Sequence, residues 1–275
     1  MHERSKAGMI TALLGGAYGL FMAFYLFMTT WIQMYDAKAA QKREDESFIV
    51  NYIIPALHDL GLIGSILLLV AAYGFYKGAK WAYTVAIVGT VLLIQGSGFP
   101  IVAAASAGAP PMYIALFIPA MALFYIFTLY VRKTDWKIVV LATFAGMAYV
   151  LTLFNGIAAT SRTVQALGFG EGLAPTTKFV AAERINWYGT IAWGFFTVAI
   201  LLKKNWVPTA LFAGIAGIAG GASLAYDSMV ANGWSTLSLF SLAPIFCIIL
   251  IIVLLLPIGQ RTVKNWCEAK WVEIK

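Results

Sequence analysis

Apolar residues run in long blocks along this chain, each ended by a short polar joint. A helix crosses a bilayer with roughly 20 consecutive apolar residues. On that measure eight transmembrane helices are predicted, at roughly 8–33, 53–76, 81–103, 111–131, 138–160, 184–203, 207–230 and 237–258. The joints KGAKW (77–81), RKTDWK (132–137) and KKNWVP (203–208) set cations beside tryptophan, as expected at a membrane–water boundary. Two connectors, about 34–52 and 161–183, are long enough to read as outer loops. The remaining joints are short and favour antiparallel neighbours, hence four-helix bundles. The start, MHERSKAGMITALLGG, is basic, but the apolar run after it is too long for a signal peptide and reads as a retained first helix.

Composition agrees with this pattern. Hydrophobic residues make up 61% of the chain and charged residues only 11%, with a mean hydropathy of +0.82. Soluble domains carry about a quarter charged residues, so this surface is built for lipid. The net charge of +7 sits in the connectors and not in a stripe interleaved with aromatics, which argues against nucleic acid as a partner. Arg4, Lys6, Lys77, Lys80, Arg132, Lys133, Lys137, Lys203, Lys204, Arg261, Lys264, Lys270 and Lys275 fall on one side. Lys38, Lys42, Arg43, Arg162, Lys178 and Arg184 fall on the other. The excess of cations on the first side places both termini in the cytoplasm. In a prokaryote the membrane would be the plasma membrane.

The two halves resemble each other. At a shift of 125 residues Gly64-Ser65 falls on Gly189-Thr190, Trp81 on Trp206, Gly89 on Gly214, Gly96 on Gly221 and Pro119 on Pro244. Ala17-Tyr18 matches Ala148-Tyr149 at a shift of 131, the difference being absorbed by a longer first outer loop. Units of four spans enter the membrane the same way up, so the repeats are parallel. The reading is an all-α integral membrane protein, one membrane domain made of a repeat at 1–137 and a second at 138–275.

His58-Asp59 opens the second helix, and the 125 shift sets it on Glu183-Arg184. The plain reading is a polar lip: Pro55 suits a first helical turn, and an acidic group there gains about 0.3–1 kcal/mol from the dipole. The sharper reading is a ligand site in which His58, Asp59 and Glu183 converge, Asp227 joins them, and Arg184 counters the carboxylates or clamps an anion. No metal-binding motif is present. Gln95, Asn155 and Asn186 are polar groups in or near the apolar zone, and isolated amides there mostly bond neighbouring helices. Gly89, Gly96, Gly214, Gly217 and Gly221 have the spacing that lets helices approach closely, while Pro119 and Pro244 predict kinks at equivalent depths.

Several chemistries are set aside. Two histidines cannot ligate a haem within the spans. No flavin or nucleotide motif is present, and the lysines cluster at helix ends, where none can hold retinal. Cys247 and Cys267 are poorly placed to pair. Three functions fit what remains. The favoured one is a non-catalytic integral or accessory subunit of a membrane assembly, since polar groups within the spans are few. The second is a transporter or channel for a neutral or weakly polar solute, passing between the repeats by Gln95, Asn155 and Asn186. The third is a redox or lipid-modifying enzyme with an outer site around His58, Asp59 and Glu183. The partners are the lipid bilayer and either other membrane subunits or further copies of the chain.

Overall fold

The computed structural model describes residues 3–41, 49–168, 173–231, 233–234 and 237–271, apart from the side chains of 41 and 165–178. Lys42, Arg43 and Lys275, and the side chain of Lys178, lie outside the described residues. Helix and no strand is found among the described residues. The helices are α1 (Glu3–Leu26), α2 (Ile32–Gln41), α3 (Ile54–Tyr76), α4 (Ala82–Ala107), α5 (Ile114–Tyr125), α6 (Trp136–Gly168), α7 (Leu173–Leu201), α8 (Val207–Ala231), α9 (Leu242–Leu255) and α10 (Pro257–Glu268). Three wider π turns join or precede them at Phe27–Trp31, Ile49–Ile53 and Ile126–Val131.

Among the described residues six helical stretches are long and apolar enough to cross a membrane: Glu3–Ala40, Ile49–Tyr76, Ala82–Ala107, Ile114–Val131, Trp136–Val164 and Val207–Ala231. A seventh is added if Leu239–Leu255 and Pro257–Glu268, bent by 74°, are taken as one. Helix α7 is continuous, but Asn186, Trp187, Tyr188, Thr190 and Thr197 dilute its apolar character. The last apolar block stops short of its expected end. Leu256 turns extended and Pro257 opens α10, so part of the C-terminal tail is an amphipathic helix.

The two segments expected to be long loops are largely helical instead. Helix α6 runs on to Gly168 and α7 starts at Leu173, while α2 and the Ile49–Ile53 turn take up most of 34–52. Hydropathy registers the polarity of such segments and not their helicity, which rests on residues such as Ala, Gln, Lys and Leu. Lys38 also departs from expectation. It is buried within α2, and its ammonium donates to the Ser106 carbonyl (3.2 Å) at the end of α4, where a cation is favoured.

The chain divides into two compact units, Met1–Val139 with Lys270–Lys275, and Val140–Ala269. In the first unit α3 packs chiefly on α1 and α4. The contact is close enough that a Cβ on Gly64 would stand 2.5 Å from the Gly89 carbonyl oxygen, and one on Gly89 2.7 Å from that of Gly64. A Cβ on Gly96 would meet the Gly61 nitrogen and the Leu57 carbonyl oxygen, both at 2.6 Å. In the second unit α8 packs on α7 and α9. Its notches at Gly214 and Gly217 hold the ends of side chains, Ile251 and Cys247.

The turn after α3 and the turn after α7 share one hydrogen-bond pattern. Lys77, Gly78 and Ala79 donate to Tyr73, Phe75 and Gly74, while Leu202, Lys203 and Lys204 donate to Val198, Ile200 and Ala199. Each donor and acceptor is displaced by 125 residues. Gly78 (φ 65°) and Lys203 (φ 58°) both take the left-handed conformation that ends a helix in this way.

The prolines do not make matched kinks. Pro119 lies inside α5, whereas Pro244 lies in the first turn of α9, where its missing N–H costs no bond within that helix and frees only a carbonyl of the turn before it. What they share is a freed carbonyl four residues earlier. The Tyr18 hydroxyl of α1 donates to the Ala115 carbonyl (2.7 Å), and Asn155 Nδ2 of α6 donates to the Phe240 carbonyl (3.1 Å).

Candidate functional site

In the first unit the polar start of α3 is covered by aromatic rings. The π turn at Phe27–Trp31 stacks Phe27 on Trp31 (4.8 Å between centroids, 8° between planes), and Phe27 in turn stacks on His58 at 4.7 Å. Trp31 Nε1 donates to the Val50 carbonyl at 2.7 Å, tying α1 to the approach to α3. His58 is buried, and its neighbour Asp59 points outward and is exposed, so the dipeptide divides between two environments. Short π segments recur at functional positions in helices, which makes this stack a place of interest in its own right.

The second unit gathers amides around two glycines of α8. The Asn186 amide fills the space in front of Gly220. Asn155 Nδ2 and the Pro244 ring fill that in front of Gly221, where a Cβ would stand 2.6 to 2.7 Å from them. Asn186 Nδ2 donates to the Ala182 carbonyl at 2.8 Å, and Asn155 Nδ2 to Phe240 as described. Both side chains are at most 1% exposed, and neither Oδ1 has a partner among the described residues. A buried acceptor left unmade costs about 1–3 kcal/mol, so each of these oxygens is a place for a donor. Trp187 Nε1 donates to Thr160 Oγ1 (3.2 Å), whose hydroxyl donates to the Gly156 carbonyl (3.0 Å).

Arg162 belongs to the same unit and does not sit in a loop. Its guanidinium lies over the Phe240 ring at 4.9 Å and the Phe179 ring at 5.8 Å, and it feels the charge of Asp227. The cation coupled to Asp227 is therefore Arg162. Glu183 is half-buried and Arg184 exposed on α7. His58 and Asp59 belong to the first unit, and Glu183, Arg184 and Asp227 to the second. Gln95, on α4, is 1% exposed, and neither of its amide atoms has a partner among the described residues.

At the basic end of the first unit Arg132 lies over Trp271 at 3.9 Å and Tyr83 at 5.3 Å. Burial pulls the guanidinium below its usual pKa, against the opposing influence of Tyr83. Sequence reasoning missed Arg162, Lys38, Tyr18 and the Phe27–Trp31 pair. Of these only Tyr18 left a trace, since a proline within an apolar span calls for an outside donor four residues upstream.

Cys247 is buried and Cys267 half-buried, and both are free thiols. Among the described residues no three His, Cys, Asp or Glu side chains are grouped so as to hold a metal ion. Comparison with protein-family models, with curated proteins and with solved structures gave no match.

Proposed function

We propose that this is an eight-span membrane protein made of two parallel four-helix repeats, 1–137 and 138–275, with both termini in the cytoplasm. Its role is that of a non-catalytic integral subunit of a membrane assembly, in a prokaryote one of the cytoplasmic membrane. Its partners are the bilayer and other membrane subunits or further copies of itself. The observation that carries this reading is the treatment of the two proline-freed carbonyls. Ala115 and Phe240 each receive a hydrogen bond from the first long helix of their own unit. A solvent unable to hydrogen-bond demands that protein supply such donors. The shared turn geometry after α3 and α7 supports the repeat. The non-catalytic role is supported by buried hydroxyls that turn back on their own helices. Ser65, Thr90, Thr128 and Thr197 each donate to the carbonyl four residues before.

Native mass spectrometry of the protein, extracted gently from its own membrane, tests the role. Other subunits should leave the membrane with it. A lone chain holding a small molecule would overturn the subunit role. It would favour a second reading, a path for a neutral or weakly polar solute, which rests on the unpartnered buried amide atoms of Gln95, Asn155 and Asn186. On that reading Asn186→Leu abolishes solute uptake by proteoliposomes while the protein remains folded.

A further inference from the structure

The C-terminal helix α10 has two faces. Val263 is buried and Trp266 half-buried on one, with Trp266 Nε1 donating to the Ile200 carbonyl at the end of α7 (2.7 Å). Lys203 holds the same end of the helix, its ammonium over the Trp266 ring (4.3 Å) and donating to the Ala269 carbonyl (2.8 Å). This helix is thus fixed to the end of α7, at 74° to α9. The opposite face exposes Arg261 and Lys264, with Lys264 facing Glu268 at a loose 4.0 Å.

Exposed apolar residues run down α9 through Ile248, Ile249, Ile252, Val253 and Leu255 and continue to Ile258, which is 72% exposed. Within two turns of Ile258 the exposed side chains become Arg261 and Lys264, and Lys204 and Trp206 are exposed at the start of α8. An apolar band that ends in tryptophan and cations marks the headgroup level of a membrane. The exposed charge there is predominantly positive, and its complement is an anionic headgroup.

We infer that α10 is an interfacial helix that docks on anionic lipid, with Ile258 in the acyl boundary and Arg261 and Lys264 on headgroup phosphates. This rests on the membrane reading above. The test places the full chain in nanodiscs of phosphatidylcholine alone, or with phosphatidylglycerol added, and follows backbone hydrogen exchange by mass spectrometry. With two cations at an anionic surface, exchange across 261–268 should slow by roughly tenfold when phosphatidylglycerol is present. The difference should vanish in high salt and in the double variant Arg261→Gln, Lys264→Gln, and persist in Arg261→Lys. Equal exchange of wild type in the two lipids overturns the inference, as does a difference that survives the double variant. The wild-type comparison decides the matter even if the double variant does not fold. Rapid exchange of 242–255 in both lipids would instead overturn the membrane reading, whereas protection there with an indifferent 261–268 removes only the docking.

Discussion

The α3–α4 contact of the first unit and the contacts of α8 in the second close with different atoms. In the first, the notches at Gly64, Gly89 and Gly96 are filled by the backbone of the facing helix. In the second, the notches at Gly214, Gly217 and Gly220 are filled by side chains, those of Ile251, Cys247 and Asn186. Under the proposed 125-residue correspondence Gly61 takes the place of Asn186, and Gln95 that of Gly220. An amide is thus carried on the second helix of one unit and on the third helix of the other. The same residue type therefore has two meanings. A glycine met by backbone is a fixed distance of approach, while one met by a side-chain tip is a socket that can adjust.

That distinction makes the largest prediction. Gly64→Ala and Gly96→Ala should each cost about 2–3 kcal/mol, because the atoms they strike are backbone and cannot turn away. Gly214→Ala should cost less than about 1 kcal/mol, because the terminal carbons of Ile251 can rotate. Reversible unfolding in mixed micelles measures both. Equal losses at the two kinds of glycine would break the comparison between the units.

The next effect concerns the donors that serve the prolines. Tyr18→Phe removes one hydroxyl and leaves the Ala115 carbonyl bare, so its cost should fall in the range measured for bonds between membrane helices, about 0.6–1.7 kcal/mol. Asn155→Leu bares the Phe240 carbonyl but also removes an unpartnered Oδ1, so the net loss should be smaller than that of Tyr18→Phe. A larger loss for Asn155→Leu would mean that its oxygen has a partner in the native membrane, which would sharpen the case for a bound molecule in the second unit.

Much of the helical plan was legible because apolar blocks must become helices in lipid. The glycine spacing likewise pointed to close packing that α3 and α4 display. The errors have a common physical origin. Residues 161–168 and α2 are polar but helical, and hydropathy reads only polarity. Pro244 was taken for a kink because its depth matched Pro119, whereas its place in the first turn depends on where α9 begins. Arg184 was expected to counter the carboxylates, with Asp227 among them. The guanidinium that feels the charge of Asp227, Arg162, was hidden in what looked like a loop. No sequence signal stated which atom would fill each glycine notch, because that depends on the rotation of the facing helix.

The smallest effect tests whether the side-chain sockets of the second unit stay closed. Cys247 fills the notch at Gly217 and is buried, whereas Cys267 on α10 is half-buried. Maleimide should therefore modify Cys267 and spare Cys247. Modification of Cys247 at a similar rate would mean that the notch opens, and the contrast between the units would fail at that point. The pH profile carries a second sign. Burial raises the Cys267 thiol above its ordinary value of 9.0, with the nearby Lys203 ammonium pulling it down and Glu268 adding to the rise. Only the thiolate reacts, so labelling should still be climbing above that pH. Lys203→Gln removes the one influence that lowers the pKa, so the midpoint should move upward. In a Cys247→Ala background this midpoint belongs to Cys267 alone. A downward shift would show that Lys203 does not stand over α10 as its hydrogen bond to Ala269 requires.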